Sequence, residues 1–166
     1  MAELTERAVA SRVPTLLDQP LKAVGRRDPV AVRPGTSLAD CLATIREGGT
    51  SDSVFVTDTE DRLVGVLAER DIFGRIVGRD VDLAGPVEPL LTRDPRTFDL
   101  DQPVWAAVEL MQTGRYRNVP VLDREGRLVG VIRPQDILAF LAESFPEELL
   151  NLPPISDQHM EEPEGA

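Results

Sequence analysis

The sequence predicts an α+β protein made of two copies of one β-α-β-β-α unit, packed sheet to sheet with pseudo-two-fold symmetry. The first observation is an internal repeat, because residues 62–72 read RLVGVLAERDI and residues 127–137 read RLVGVIRPQDI. The second observation is that Asp28-Pro29 recurs as Asp94-Pro95 in nearly the same register. Self-similarity of this kind indicates duplicated supersecondary units, which bury their apolar faces when the copies pack together.

Each copy begins with a short extended stretch, 30–32 or 96–98, and continues into an amphipathic helix. We expect the two helices to begin at the capping residues Thr36 and Asp101 and to end at glycine. Apolar residues recur there at three- and four-residue steps, which is typical of a helix with one buried face. They are Leu38, Cys41, Leu42 and Ile45 in the first copy and Val104, Ala107, Val108 and Met111 in the second.

Two strands and a second helix complete each copy. The strands are predicted at 53–57 and 63–67 in the first copy and at 118–122 and 128–132 in the second. They are apolar on both faces, as expected of a sheet that is covered on both sides. The closing helices are predicted from Glu69 to about residue 78 and from Pro134 to about residue 144, since proline suits the first helical position. Gly65 and Gly130 lie inside strands, which indicates that another segment approaches closely.

Composition and charge argue against several classes of function. The 166 residues carry a formal net charge of −11, and an acidic chain favours neither nucleic acid nor an anionic membrane as a partner. No apolar run approaches the length of about 18 residues that a membrane span needs, and the beginning of the chain lacks the apolar core of a signal peptide. We therefore expect a cytoplasmic protein. A single histidine and a single cysteine offer no metal-ligand spacing and no activated nucleophile, so we expect no metal site and no enzyme.

The repeat also divides the chain into three regions. Residues 13–78 form the first domain, residues 79–142 form a linker and the second domain, and residues 143–166 form an acidic C-terminal tail. A unit of this size buries too little apolar surface to be stable alone, so we expect the two domains to depend on each other. Within the tail, Leu149, Leu150 and Leu152 are predicted to dock as a short turn, and the polar end is typical of disorder.

A β-α-β-β-α unit given twice, with Gly-Val-hydrophobic-x-x-x-Asp-Ile closing each copy, resembles the cystathionine β-synthase (CBS) domain. Two such domains in tandem form a Bateman module, and the resemblance covers roughly residues 13–142. The motifs that carry it are Asp28-Pro29, Asp94-Pro95, the run GRYRNVPV at 114–121 and the two Gly-Val lines. Because no enzyme or transporter domain is recognisable beside them, the chain is expected to be a stand-alone member of the family.

The resemblance implies a regulatory protein that binds an adenine nucleotide of the AMP, ADP or ATP class and signals to a partner of unknown identity. It implies no required cofactor, and it implies a flat two-fold homodimer. In the family the nucleotide lies between the two copies, where the last strand of a copy meets its last helix. Asp71 and Asp136 stand at this place, where a carboxylate can accept hydrogen bonds from both ribose hydroxyls. Each aspartate also has a purely structural interpretation, as the acid of a helix capping box.

The family motif places a threonine three residues before this aspartate, and both copies depart from it. Ala68 stands there in the first copy and Arg133 in the second, where a guanidinium could replace the hydroxyl as a phosphate ligand. The basic run 115–117 of the second copy adds further candidate phosphate contacts, although exposed surface arginine is the alternative interpretation. The sequence therefore predicts that the cleft of Asp136 binds the nucleotide and that the cleft of Asp71 is weak or empty.

The predicted ligand-binding residues are Asp136, Arg133, Thr97, Arg115, Tyr116, Arg117, Asn118, Val119, Pro120, Asp71, Ala68, Val30 and Val54. The alternative function is an interaction or scaffold module whose clefts have degenerated and which regulates a partner without a nucleotide. Loss of the hydroxyl residue from both copies favours this alternative, and the basic residues near Tyr116 oppose it.

Overall fold

Two mixed sheets of identical topology form the framework of the computed structural model, which describes residues 15–48, 52–114 and 116–144. The strands are β1 (Ala31–Val32), β2 (Ser53–Thr57), β3 (Leu63–Ala68), β4 (Phe98–Asp99), β5 (Val119–Leu122) and β6 (Leu128–Ile132). One sheet has the order β1-β2-β3 and the other has the order β4-β5-β6. In each sheet the first pair of strands is parallel and the second pair is antiparallel.

Helices flank the sheets in the order that the repeat predicts. They are α1 (Leu38–Glu47), α2 (Glu69–Arg75), α3 (Val104–Gly114) and α4 (Pro134–Ser144). The two β-α-β-β-α copies of the predicted α+β fold are thereby confirmed. Within the described residues, no helix combines the length and the apolar character that crossing a membrane requires.

The predicted starting points of α1 and α3 are wrong by a few residues. Helix α1 begins after Ser37, whose hydroxyl accepts a hydrogen bond from the Asp40 N–H at 3.1 Å. The hydroxyl of Thr36 instead donates to the Arg33 carbonyl, which makes Thr36 part of the preceding turn. Helix α3 begins at Val104, because Asp101 belongs to a turn in which its own N–H donates to a neighbouring carboxylate.

The core of each copy is completed by the segment that precedes the other copy in the sequence. We call residues 20–27 the first lead-in segment and residues 85–92 the second lead-in segment. Leu21 and Val24 of the first lead-in segment are buried in the core of the second copy. Val87 and Leu91 of the second lead-in segment are buried in the core of the first copy. The sequence analysis did not predict this exchange, which ties the two copies together.

Backbone hydrogen bonds fix the lead-in segments in these exchanged positions. The Leu21 N–H donates to the Gln102 carbonyl at 2.8 Å, and the Leu38 N–H donates to the Gly85 carbonyl at 3.0 Å. A salt bridge of 2.9 Å between Lys22 and Asp101 strengthens the first of these contacts. The hydrogen bond from Lys22 lowers the pKa of the Asp101 carboxyl below its ordinary value.

The two sheets pack face to face through a third apolar cluster, which confirms the predicted sheet-to-sheet arrangement. Phe55, Leu128 and Val131 are its buried members. Both strand glycines lie against lead-in segments. A Cβ added to Gly65 would lie 3.0 Å from the Thr92 carbonyl oxygen, and one added to Gly130 would lie 2.6 Å from the Arg26 Cδ. The close approach that these glycines predicted is therefore confirmed.

Candidate functional site

In the part of the chain that the structure describes, two clefts open between the copies. The larger cleft has a volume of about 500 Å³ and the smaller cleft a volume of about 100 Å³. The larger cleft is lined by Asp52, Ser53, Phe55, Val66, Ala68, Glu69, Arg70, Phe73, Pro95, Gly114, Tyr116, Arg117, Asn118 and Pro120. The smaller cleft is lined by Arg27, Asp28, Pro29, Val30, Gly48, Phe55, Asn118, Val131 and Arg133.

The alternation of strands β2 and β5 decides which of their side chains reach a cleft. Phe55 of β2 and Pro120 of β5 point into the space between the copies. Val54 and Val119 alternate with them, so they point to the opposite face of their sheets and are completely buried. The prediction that these two valines contact a ligand is therefore corrected, and Thr97 also lines neither cleft.

The floor of the larger cleft is apolar, and one wall is aromatic. Phe55, Val66 and Pro120 supply aliphatic and ring carbons at the floor. The Tyr116 ring forms part of the wall, and the Arg70 guanidinium carbon lies 5.3 Å from its centroid. This distance is within the range of a cation–π interaction, which holds the guanidinium beside the ring. The cleft therefore offers a flat, apolar surface with a positive charge next to it.

The rim of the larger cleft is a network of polar side chains from both copies. Arg117 lies 3.0 Å from a Glu69 carboxylate oxygen and 3.6 Å from an Asp52 carboxylate oxygen. The Asn118 amide donates to the Ser53 hydroxyl at 2.8 Å and also contacts Asp52. Among the described lining residues, two carboxylates face two guanidinium groups, so their formal charges cancel. Any anionic ligand must compete with these carboxylates for the arginines.

Asp71 and Asp136, which we call the helix-starting aspartates, stand in the first turns of α2 and α4, line neither cleft and cap their helices. The Ala68 N–H donates to Asp71 Oδ2 at 3.0 Å, and the Arg133 N–H donates to Asp136 Oδ2 at 2.9 Å. The two residues are only 5% and 7% exposed, respectively. Each aspartate thus makes the hydrogen bond that the capping interpretation predicts.

The second carboxylate oxygen distinguishes the two aspartates. Asp71 Oδ1 accepts a long hydrogen bond from the Thr92 hydroxyl at 3.4 Å. Asp136 Oδ1 accepts a hydrogen bond from Arg27 Nε at 2.9 Å, which makes a salt bridge. Arg133 Nε lies 3.7 Å from the other oxygen of Asp136. Arg75 Nε likewise lies 3.7 Å from Asp71 Oδ1, so one arginine contacts Asp71 and two arginines contact Asp136.

The structure corrects the predicted grouping of the site residues. The sequence predicts the run 115–117 in the cleft of Asp136, but Tyr116 and Arg117 lie beside Ala68, on the side of Asp71. The reason is the pseudo-two-fold arrangement, which sets the segment before β5 against the closing helix of the opposite copy. Arg133 and Val30 line the smaller cleft instead. Arg115 and the predicted docking turn of the tail lie outside the described residues.

Sequence reasoning missed several residues of the larger cleft, among them Arg70, Phe73 and Pro95. Arg70 and Phe73 lie on the first helical turns that follow Ala68, so helix geometry around the motif could have indicated them. Pro95 belongs to the second Asp-Pro pair, and it lines the larger cleft because of how the two copies pack together. No group of three metal-binding side chains occurs within 15–48, 52–114 and 116–144.

Comparison with known proteins identifies relatives over most of the chain. An uncharacterised 17.7 kDa protein of Acidianus ambivalens is 30% identical over 112 residues, which are 68% of this chain and 66% of that protein. This chain thus spans just under two thirds of that relative's length.

Two solved structures have the same fold. The CBS domain protein PAE2072 from Pyrobaculum aerophilum, complexed with AMP, superposes with a TM-score of 0.64 at 29% identity. That match covers 75% of this chain and 98% of the Pyrobaculum chain. The cytosolic domain of the Mg²⁺ channel MgtE, in complex with ATP, has a TM-score of 0.62 at 26% identity. It covers 80% of this chain and 53% of that one.

The family model described as the CBS domain matches this sequence twice, over residues 21–78 and 87–143. Both matched segments coincide with a β-α-β-β-α copy of the fold. The chain belongs to the CBS domain family.

Proposed function

We propose that the chain is a regulatory CBS-pair protein that binds an adenine nucleotide of the AMP, ADP or ATP class in its larger cleft. The observation that carries the proposal is the size and lining of that cleft. Its volume of about 500 Å³ falls within the range of about 300–1,000 Å³ that small-molecule sites occupy. The Pyrobaculum relative complexed with AMP and the MgtE domain in complex with ATP support an adenine nucleotide as the ligand.

The apolar floor suits the base of the nucleotide. Adenine is flat and offers two π faces, and it is stabilised by stacking on an aromatic ring and by burial against carbon atoms. Tyr116 supplies the ring, and Phe55, Val66 and Pro120 supply the carbon atoms. Burial of the base against these groups would provide most of the binding free energy that is independent of charge.

The two arginines of the cleft suit the phosphate. A guanidinium presents two parallel N–H donors to phosphate oxygens, and this charge-assisted contact is stronger than a neutral hydrogen bond. Arg117 is exposed, so it can exchange Glu69 for a phosphate without burying a new charge. Because the exchange occurs near solvent, we expect binding to weaken as ionic strength rises.

Ser53 and Asn118 are polar residues that line the larger cleft, and they suit the ribose hydroxyls. Asp71 lies behind Ala68, where its strongest contact is the cap of its own helix. A ribose would reach Asp71 by displacing the Thr92 hydroxyl, which at 3.4 Å is a weak partner. We therefore assign Asp71, and not Asp136, to the nucleotide.

Thermal unfolding in the presence of AMP, ADP or ATP tests the proposal. A nucleotide at 100 times its Kd should stabilise the native protein by about 2.7 kcal/mol. Arg70→Ala and Arg117→Ala should each weaken binding roughly tenfold, because each removes a charge-assisted contact. Arg124→Ala is the matched control, since Arg124 is exposed and lines neither cleft. Absence of any shift at millimolar nucleotide would overturn the proposal, and so would an equal loss in the control.

The alternative is a module that regulates its partner by contact alone. It is favoured by Ala68, which offers no hydroxyl, and by the engagement of Arg117 with Glu69 and Asp52. The same unfolding experiment separates the two functions, because a contact-only module has no reason to respond to a nucleotide.

We further propose that the protein is a cytoplasmic homodimer that changes the surface shown to a regulated partner when the nucleotide binds. Trp105 on α3 and Leu138 on α4 are large apolar residues that remain exposed in the single chain. Substitution of Trp105 by glutamate should shift the mass measured by light scattering from dimer to monomer. A wild-type protein that is monomeric at micromolar concentration would contradict this assembly.

A further inference from the structure

The two clefts differ at two pairs of structurally equivalent residues. The residues of both pairs contact the helix-starting aspartate of their own cleft. The first position is Thr92 at the larger cleft and Arg27 at the smaller cleft. Their equivalence follows from the backbone, since Thr92 forms an isolated bridge with Val66 of β3 and Arg27 forms one with Val131 of β6. The side chain of each then contacts the aspartate of the adjoining helix.

The second position is Ala68 at the larger cleft and Arg133 at the smaller cleft. Each immediately precedes a closing helix, and the backbone N–H of each donates to the helix-starting aspartate. Ala68 adds only a methyl group to the cleft wall. The Arg133 side chain is 13% exposed and lies against Asp136, so its long stem and guanidinium occupy the space instead.

The two arginines and Asp136 together form an ion cluster, in which Asp136 is buried and the Arg27 side chain is 59% exposed. Arg27 Nε is 2.9 Å from one carboxylate oxygen, and Arg133 Nε is 3.7 Å from the other. Withdrawing an arginine from this cluster would leave a buried carboxylate with less compensation, which costs free energy. The cluster therefore keeps the two guanidinium groups in place rather than leaving them available to a ligand.

The volumes of the clefts agree with this difference. The smaller cleft, at about 100 Å³, is one fifth of the larger one and lies below the range that small-molecule sites occupy. Asp28 also lines the smaller cleft, so the two arginines face two carboxylates and create no excess of positive charge there.

We propose that Arg27 and Arg133 close the smaller cleft to nucleotides, so that each chain binds one nucleotide and binds it in the larger cleft. This inference rests on the proposed function of the larger cleft. It reverses the role that the sequence predicts for Arg133, which becomes a residue that excludes the ligand. The number of nucleotides bound per chain is then determined by the residues at positions 27 and 133.

A reciprocal exchange of these residues tests the inference. The opening variant is Arg27→Thr with Arg133→Ala, and the closing variant is Thr92→Arg with Ala68→Arg. The opening variant gives positions 27 and 133 the residues that stand at the equivalent positions 92 and 68, so the fold has a precedent for these residues. The number of AMP molecules bound per chain, measured by isothermal titration calorimetry and by equilibrium dialysis, is expected to be one for the wild type, two for the opening variant and none for the closing variant.

The unaltered cleft provides the control for folding. In the opening variant, the site in the larger cleft should keep its Kd within about twofold, which a misfolded protein would not do. If the opening variant does not fold, Arg27→Thr alone replaces it, and we expect a second AMP site that is at least tenfold weaker than the first. A folded opening variant that still binds a single AMP would overturn the inference while leaving the proposed function intact.

Other outcomes separate the inference from the proposed function. Two AMP molecules on the wild type, retention of AMP by a folded closing variant, or loss of the wild-type site in the opening variant would each overturn the inference. The last result would mean that Arg27 and Arg133 contact the nucleotide, as the sequence predicts for Arg133. A wild type that binds no AMP, together with an opening variant that binds one, would refute binding in the larger cleft and would support only the closure of the smaller cleft by Arg27 and Arg133. Absence of AMP from both would refute the two together.

Discussion

The larger and smaller clefts are built from equivalent strands and helices of the two copies, which the pseudo-two-fold symmetry relates to each other. At the larger cleft, the carboxylate behind the wall meets a hydroxyl and one arginine, Arg75, and a space of about 500 Å³ remains in front of it. At the smaller cleft, the equivalent carboxylate meets two guanidinium groups, and about 100 Å³ remains. The comparison teaches that a repeated scaffold need not provide repeated sites, because a site depends on the few side chains that fill it.

The largest expected effect concerns Phe55, which lies between the two clefts and is 1% exposed. Phe55→Ala should lower the free energy of unfolding by about 3–5 kcal/mol, since it leaves a cavity between the sheets. Phe73→Ala is the control, because Phe73 is 65% exposed and should change stability by less than about 0.5 kcal/mol. Urea denaturation measures both values. Similar values for the two variants would show that the sheets do not depend on the contact between them.

The second effect compares the two aspartates directly. Asp136→Asn should destabilise the protein by about 2 kcal/mol, because it leaves Arg133 and half-exposed Arg27 without their counter-charge. Asp71→Asn should cost less, about 1 kcal/mol, since the amide oxygen can still accept from the Ala68 N–H and the single arginine that loses its counter-charge, Arg75, is half-exposed. Denaturant unfolding at neutral pH measures the difference. Equal costs would contradict the ion cluster as the feature that distinguishes the clefts.

The third effect compares the strand glycines. Gly65→Ala should cost about 1–3 kcal/mol, because the new Cβ meets the Thr92 backbone oxygen at 3.0 Å and the backbone cannot move aside easily. Gly130→Ala should cost less than about 1 kcal/mol, because its Cβ meets the flexible side chain of Arg26. Melting temperatures of the two variants provide the measurement. The reverse order would indicate that the second lead-in segment is the more adaptable one.

The smallest effect is a pH dependence from the turn between β2 and β3. Hydrogen bonds from the Arg62 and Glu60 N–H groups to Asp58 lower the pKa of its carboxyl from the ordinary value of 3.8. Because the folded pKa is the lower one, the stabilisation is present above pH 3.8 and is lost as the pH falls through the folded pKa. In Asp58→Asn, the melting temperature should therefore fall less steeply below about pH 4 than in the wild type. Asp80→Asn, which removes an exposed carboxylate from the linker, is the control for the change in net charge.

The sequence predicts the elements of each copy well, because those elements depend on local chemistry. The apolar steps of α1 and α3, the short apolar runs of the strands and the polar turns are all properties of short stretches. Glycine at 65 and 130 indicated close packing because a side chain there would collide with a neighbour. These signals remain valid without knowledge of what lies on the other side of the sheet.

The candidate site was predicted less well, because it depends on contacts between copies. Aligning the two Asp-Pro pairs matches Arg27 with Arg93, whereas the backbone bridges match Arg27 with Thr92. Because of this shift of one residue, aligning the two copies by sequence does not identify Arg27 as the residue that contacts Asp136. The repeat likewise identifies equivalent positions but does not show which segments of the two copies contact each other. For this reason Tyr116 and Arg117 were assigned to the wrong cleft.

The exchange of the lead-in segments has a consequence for how the protein is made. Lys22 contacts a residue 79 positions later, and Arg27 contacts one 109 positions later. On the ribosome, the beginning of the first copy must therefore wait for nearly all of the second copy before it can reach its final position. Closing such long loops costs entropy before any contact compensates for it, so folding is expected to be slow and to end in a single cooperative step. Separating the gene between the copies should accordingly yield two fragments that fold only when they are mixed.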